Sequence, residues 1–598
     1  MDNRKSVRIG CASAFWGDTS TAAKQLAEKG DLDYLVFDFL AEVTMSILAR
    51  SKLKDPQMGY ATDFIIQLAP LLKLIKEKNI KVISNAGGIN PAACKAALQK
   101  SVDEAGIDLT IATVTGDDIT HKLDALKKAR VTEIENNMPI PESCLSINAY
   151  LGAPGIVKGL EENADIIITG RCVDSALALA PLMYEFGWNE NQYDLLASGS
   201  LAGHIIECGA QCTGGNFTDW KHVKGFHNMG FPIVEVQKNG DFIVSKPNNT
   251  GGMVTFGTVA EQLLYEIGNP AEYLLPDVVC DFTNVVIKEI GKDKVMVSGA
   301  SGYAPTNQYK VSATYMDGYR VAGTLVIGGK DAKEKGTLIA NAIIDKVSHI
   351  LVNNNLEPFK QISFDLLGTD SIYGPDNSNN DSREIVLRLM ATHVDKSALV
   401  FLSREMAQAV TGMPAGVINY LGGRPPVSPS IHLFSFLMEK DQLRIEMHLN
   451  NKITPIHITN SSSFVKKQDN SRSSFDAIKN DSLTTTVPLS KLAFARSGDK
   501  GDNANIGVIA RRPEFLPYIQ TALSSKAVAE YFSHILEGEV MSWEVPGING
   551  INFLLKNSLG GGGMASLNID PQGKAYAQQL LEYKIPIDEK LINKFGIK

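Results

Sequence analysis

The segment Gly203-His204-Ile205-Ile206-Glu207-Cys208-Gly209-Ala210-Gln211-Cys212-Thr213-Gly214-Gly215 concentrates an imidazole, a carboxylate and two thiols. Proton transfer by His204 or Glu207 is the chemistry that these side chains suit best. A continuous helix would bring His204, Cys208 and Cys212 onto one face, as zinc ligands are arranged. Gly209, Gly214 and Gly215 argue against that helix, and the spacing matches no zinc template, so no metal site is expected. Cys208 reads as a small buried hydrophobe.

Three further segments offer anion chemistry. Gly170-Arg171-Cys172-Val173-Asp174-Ser175 lies where an apolar strand meets a helix beginning Ala176-Leu177. Free backbone N–H groups and the helix dipole favour an anion there, and Arg171 adds a planar donor fork. The sharp reading is a carboxylate- or phosphate-bearing substrate. The plainer one pairs Arg171 with Asp174, or leaves Asp174 as a cap. Asn248-Asn249-Thr250-Gly251-Gly252 follows a hairpin and precedes a helix, so its amides could wrap an anion. It lacks the lysine and spacing of a Walker A loop. The segment Arg496-Ser497-Gly498-Asp499-Lys500-Gly501-Asp502-Asn503 is the densest polar loop of the chain. It either presents a substrate-binding surface or is a self-satisfied ion-pair turn. No GxGxxG follows a strand and no GxSxG elbow is present, which weakens nicotinamide, ATP and serine-hydrolase readings.

These residues need elements to position them. The first ~230 residues alternate short apolar runs (Ser6–Cys11, Tyr34–Phe39, Lys81–Ser84, Leu109–Val114, Leu145–Tyr150, Asp165–Thr169) with helical stretches such as Ser20–Lys29, Tyr60–Lys78 and Pro91–Lys100. Alternating βα units imply a mainly parallel sheet covered by helices, with an open sheet favoured over a barrel. In such a sheet, ligands gather beyond the carboxyl ends of the strands. Those ends here are polar or glycine-rich: Ala12-Ser13, Asp38, Ser84-Asn85-Ala86-Gly87-Gly88, Thr115-Gly116-Asp117-Asp118 and Gly170-Arg171. One loop of this kind is usually a turn or cap; the set reads as a rim that binds a ligand.

From about residue 231 the texture becomes α+β. Alternating runs flank Asn239-Gly240 as a hairpin, a helix is expected near Thr258–Ile267, strands at Val278–Ile287 and Tyr309–Val326, and helices at Ala332–Leu351 and Glu384–His393. Residues 1–465 therefore read as one large portion. Residues 466–486 hold only four apolar side chains and read as a linker. Residues 487–598 suffice for a small α+β domain, in which the tetraglycine Gly560–Gly563 would allow a close backbone approach.

Among 598 residues, 44% are hydrophobic and 21% charged, with a formal charge of −8 and no basic block. That balance argues against nucleic-acid and membrane-surface partners. No apolar run approaches the roughly 20 residues of a membrane span, and the start of the chain lacks the pattern of a secretory signal. Seven scattered cysteines, none beyond Cys280, suit a reducing cytoplasm better than a disulfide scaffold.

The segments RIGCASAFWGD, SNAGGINP, ADIIITGRCVDSALALAPLMYEFGW, GHIIECGAQCTGG, KPNNTGGMVTFGTVAEQLLYEIGNPAEYLLPDVVCDF and ARSGDKGDNANIGVIARR resemble the AtuA family, the acyclic terpene utilisation proteins. The resemblance covers essentially the whole chain. It implies a large amino-terminal domain followed by a small carboxy-terminal domain with a ferredoxin-like fold. It also implies a place in the breakdown of branched terpenoids, whose intermediates are coenzyme A thioesters.

The expected activity is that of a hydro-lyase, lyase or isomerase acting on an organic acid or acyl-CoA, with no redox cofactor. Arg171 and Arg496 or Lys500 would hold the anionic groups, with Asp174, Gly170, Thr250, Gly251, Gly252, Ser497, Asp499 and Asp502 completing the binding surface. Glu207 or His204 would move the proton, while Asn85 and the Gly87-Gly88 amides would stabilise an enolate-like oxygen. The alternative is a non-catalytic subunit that supports a partner enzyme, with the small domain as its docking module. A homo-oligomer is compatible with either reading.

Overall fold

The computed structural model describes residues 5–376, 381–420, 422–458, 464, 465, 483 and 485–597. The apolar runs of the first third form β1 (Ser6–Cys11), β2 (Tyr34–Phe37), β3 (Lys81–Ser84), β4 (Ile111–Thr115), β5 (Ser146–Ala149), β6 (Ile166–Thr169), β7 (Ile233–Gln237) and β8 (Phe242–Ser245). Five of them, in the order β1-β2-β3-β6-β4, pair in parallel. Their side chains alternate between two cores. Tyr34 and Val36 pack on one face with helices Pro154–Glu161, Ala176–Phe186 and Tyr193–Glu207. Leu35 and Phe37 pack on the other with helices Ala22–Lys29, Thr62–Leu68 and Pro91–Ala105. Burial on both faces is why these strands read as unbroken apolar runs.

The later strands of the large portion are β9 (Tyr273–Leu274), β10 (Val279–Asp281), β11 (Val286–Gly291), β12 (Lys294–Ser298), β13 (Ser301–Tyr303), β14 (Gln308–Gly328), β15 (Gln361–Leu367), β16 (Glu384–His393), β17 (Val417–Tyr420), β18 (Ser428–Glu439), β19 (Ile445–Leu449) and β20 (Lys452–Ile456). Several extend the parallel core with antiparallel neighbours. The result is an open mixed sheet of eleven strands, β11-β12-β8-β7-β1-β2-β3-β6-β4-β19-β20. The hairpin at Asn239-Gly240 joins β7 to β8, with Gly240 at φ +92°.

A second sheet is built on β14, a strand of 21 residues. Its first part pairs with β5 and β18, its later part with β16 and β17. The run Leu145–Tyr150 thus leaves the βα series, since β5 lies antiparallel to β14. Glu384–His393 corrects a sequence expectation: it is strand β16, not a helix. Ile385, Leu387, Leu389 and Ala391 are buried at a spacing of two, and both edges of the strand are paired, to β14 and to β15. Alternation, not a 3.6-residue period, places its apolar groups.

The carboxy-terminal part contains β21 (Thr485–Pro488), β22 (Ala493–Lys500), β23 (Asn503–Ala510), β24 (Val540–Val545), β25 (Gly550–Leu555) and β26 (Lys584–Ile587). Four strands form an antiparallel sheet, β22-β23-β25-β24. Helices Leu516–Ala522 and Ser525–Tyr531 contribute Ile519 and Val528 to a core made only of residues from this part. The expected linker, 466–486, lies outside the described residues except for 483 and 485–486. Among the described residues, no helix is long and apolar enough to cross a membrane.

Candidate functional site

Parallel pairing brings the carboxyl ends of β1, β2, β3, β4 and β6 to one rim, and side chains knit the loops together there. Ser13 Oγ donates to the Asp38 carbonyl at 2.6 Å. Asn85 Oδ1 accepts from the Phe39 amide at 2.8 Å while its Nδ2 donates to Asp38 Oδ1 at 2.7 Å. Asp117 Oδ2 accepts from the Arg171 amide at 2.8 Å and from Asn148 Nδ2 at 2.9 Å. Gly170 has no room for a side chain, because a Cβ would stand 2.2 Å from Asp117 Oδ1.

Arg171 lies at the centre of this rim. Its Nη1 donates to the Leu40 carbonyl at 2.6 Å and to Asp174 Oδ1 at 2.9 Å. Its guanidinium stacks over the Tyr150 ring, 4.3 Å from the centroid, and the Lys310 ammonium stands 5.1 Å from the same ring. Three carboxylates share this neighbourhood. Burial pushes the Asp38 carboxyl well above the usual range, and Asp174 and Glu207 add to the rise against the opposing pull of Arg171 and Asn85.

Glu207 ends the helix Tyr193–Glu207, where its Oε1 meets His204 Nδ1 at 2.9 Å. Burial opposes charge on His204, but Glu207, Glu266 and the Leu263 carbonyl outweigh it and raise its titration. His204 is buried, with its ring 5.9 Å from that of Tyr273. Burial raises the Tyr273 hydroxyl too, helped by Glu207 and Asp174. The Lys500 ammonium, from the carboxy-terminal part, lies 5.1 Å from the Tyr273 ring. Arg171 therefore sits among a buried carboxyl and two partly open ones, while Lys310 and Lys500 lie against the adjoining Tyr150 and Tyr273 rings. A grouping of this kind has the charges to attract an anion and the titratable groups to transfer a proton.

Of the residues singled out in the sequence, the structure brings together Arg171, Asp174, Glu207, His204 and Lys500, with Asn85 beneath them. Asn85 is fully buried and both its amide ends are engaged, so it positions Asp38. Gly87 packs under the Thr169 carbonyl, and the Gly88 amide donates to the Asn85 carbonyl at 3.2 Å. The Gly88 amide is thus already engaged within its own turn. The Gly251 and Gly252 amides likewise donate to the carbonyls of Asn228 and Lys224, and the Thr250 hydroxyl donates to the Pro247 carbonyl. The backbone nest expected there is already filled by the chain itself.

The polar segment from Arg496 onward is a β-hairpin with Gly501-Asp502 at its turn, and most of it serves docking. Arg496 donates to Glu261 Oε2 from Nε at 3.1 Å and from Nη2 at 2.9 Å, and also reaches Gln211 and the Gly215 carbonyl. Ser497 Oγ donates to the Gly573 carbonyl and accepts from the Ala577 amide. Asp499 pairs with Lys574, and Asp502 accepts from the Gly561 amide of the tetraglycine. Lys500, at the hairpin tip, is the member of this group that reaches Tyr273.

The thiols are not poised for attack. Cys208 is raised well above its ordinary value, first by burial and then by Glu207, and Cys212 is pushed up to about 12 by burial. Sequence reasoning did not single out Tyr150, Tyr273 and Lys310. Their signal is weak, because they sit on or beside β5, β9 and β14, outside the βα units.

A search of curated proteins found no match. Two family models do match: the acyclic terpene utilisation family protein AtuA over residues 7–449, and the AtuA ferredoxin-like domain over residues 487–586. The first alone spans well over half of the chain, and together they account for the large mixed sheet and the small antiparallel domain docked on it. The chain belongs to the AtuA family of acyclic terpene utilisation proteins.

Proposed function

We propose that the rim around Arg171 is an acid–base active site for an anionic substrate, an organic acid or its coenzyme A ester. In this reading the protein is a hydro-lyase, lyase or isomerase of branched-chain or terpenoid catabolism. The observation that carries it is Arg171 set among Asp38, Asp174 and Glu207 at one rim, with Lys310 and Lys500 over the neighbouring Tyr150 and Tyr273 rings.

Arg171, fixed by Leu40, Asp174 and Tyr150, orients the substrate's anionic group, and the two lysines draw it to the rim. Glu207, in contact with His204, removes a proton from the carbon next to the substrate carbonyl. The electron pair of that C–H bond moves toward the carbonyl oxygen. For a hydro-lyase it then expels the β-hydroxyl, which leaves as water once Asp38, whose neutral form burial favours, donates its proton. Each turnover leaves Glu207 protonated and Asp38 ionised, and exchange with solvent resets both. For an isomerase, the proton returns at another carbon.

Thermal-shift screening of the full chain against acyl-CoAs and small di- and tricarboxylates tests this reading, because a ligand that prefers the native state raises its melting point. The expected hit loses its shift in Arg171→Ala, whereas Glu207→Gln retains the shift and loses turnover. Growth on a branched acid that survives both substitutions but not removal of the carboxy-terminal part would replace this reading with a scaffold.

A further inference from the structure

A cavity of about 620 Å³, lined mainly by polar residues, lies apart from the Arg171 rim. Its walls come from the loop around Gly225, from Lys246 to Thr255, and from the β11–β12 turn at Lys292-Asp293. It opens at the start of the helix Phe256–Leu263, whose far end approaches His204, where Gln262 Nε2 donates to the His204 carbonyl at 3.2 Å. Eight residues of helix separate the two places by about 12 Å.

The lining carries three lysines against two carboxylates. Its carboxylates are occupied: Glu289 Oε1 accepts from the Phe256 amide at 2.8 Å, so the helix terminus is already capped. Asp293 accepts from the Val254 amide at 3.0 Å and pairs with Lys246 at 3.4 Å. Among the described residues, the Lys224 and Lys292 ammonium groups and the His222 and His227 rings have no hydrogen-bond or ion-pair partner. Two unmatched ammonium groups beside two imidazoles form a local positive site on a chain whose formal charge is −8.

We infer that this cavity binds a phosphate ester, its phosphate seated between Lys224 and Lys292 with His222 and His227 as further donors. A phosphomonoester carries about −1.5 to −2 charges at neutral pH, which two ammonium groups match. The volume is that of a small-molecule site. Met253 and Val254 are its main apolar lining, against glycines, lysines and histidines, so it suits a phosphorylated group and not an acyl chain. Two sources share this chemistry: the nucleotide end of a coenzyme A ester, and a free phosphate compound.

Isothermal titration of the full chain with coenzyme A, with adenosine 3′,5′-bisphosphate and with inorganic phosphate tests the inference. At least one of them is expected to bind. Lys224→Ala combined with Lys292→Ala should weaken that binding about tenfold or more, with the melting temperature unchanged because both lysines are exposed. Arg171→Ala should leave binding of the bisphosphate and of phosphate intact, which separates this site from the active-site reading. Tight binding of the bisphosphate with weak binding of phosphate assigns the nucleotide source, and equal binding assigns a free phosphate compound. Absence of binding by all three at millimolar concentration, or binding that survives the double substitution, overturns the inference.

Discussion

Arg496 of the carboxy-terminal sheet and Glu261 of the helix Phe256–Leu263 form an ion pair at 2.9 Å, with 4% and 0% of their side chains exposed. Thr218 donates its amide to the same carboxylate at 3.1 Å, and Gln211 and the Gly215 carbonyl complete the guanidinium. The pair fastens the small domain to the large one. Removing one partner leaves a buried charge unmatched, which costs about 3–5 kcal/mol. Arg496→Ala should therefore lower the unfolding free energy by that amount or release the small domain, as read by urea unfolding and limited proteolysis. A loss below about 1 kcal/mol would show that the pair is not the fastening.

Lys500 lies three residues before Asn503 in the same hairpin but has a different task. Its ammonium stands over Tyr273, and its side chain is exposed. Lys500→Ala should leave stability within about 0.5 kcal/mol of the parent. It should weaken an anionic ligand of the Arg171 rim about tenfold, and increasingly so at low salt. Titration calorimetry at two ionic strengths measures both effects. Unchanged affinity would remove Lys500 from the binding surface.

The rim was legible because parallel strands buried on both faces read as apolar runs, and the polar residue after each run must fall at one end of the sheet. Asp38, Asn85, Asp117 and Arg171 were visible for that reason. Which of them faces a ligand was not visible. Asn85 turns inward to hold Asp38, a choice made by packing against the Phe39 amide and unmarked in local sequence. Tyr273 and Lys310 come from strands far along the chain, so only tertiary pairing delivers them. Glu384–His393 misled because its mixed apolar and charged residues fit both periods, and the partners that settle the matter, β14 and β15, are remote. The Arg496 segment showed both charge signs. Its division into a buried fastening and an exposed lysine depends on Glu261, which is more than 200 residues away.

Asp117 supplies a pH test. Burial raises its carboxyl from 3.8 to about 7, with a further push from Asp118, against the stabilising donors Arg171 N–H and Asn148. Well below pH 3.8 the group is protonated both folded and unfolded, and it costs nothing. As the pH rises, the unfolded chain ionises first while the folded carboxyl stays neutral, so stability falls until the folded group titrates near 7. A shift of that size corresponds to about 4 kcal/mol across the window. Asp117→Asn should lack this slope. Unfolding free energies of the two proteins at pH 5 and pH 7 should diverge, the parent losing more than the variant. Parallel behaviour would mean that Asp117 ionises normally.

Asp38 carries the sharpest test of the chemistry. Asn85 Nδ2 and the Leu40 amide engage Oδ1, and burial raises the titration of the group, favouring its neutral form. An asparagine in its place would still accept from Asn85 through its oxygen but could not donate a carboxyl proton. Asp38→Asn should therefore fold and bind the anionic ligand with near-parental affinity, while turnover falls about 10²–10⁴-fold, the usual contribution of a general acid. The pH–rate profile should also lose its alkaline limb, because in the parent activity declines once Asp38 ionises. If Asp38→Asn turns over at the parental rate, or keeps the alkaline limb, the proton comes from elsewhere and Asp38 serves only to orient the rim around Arg171.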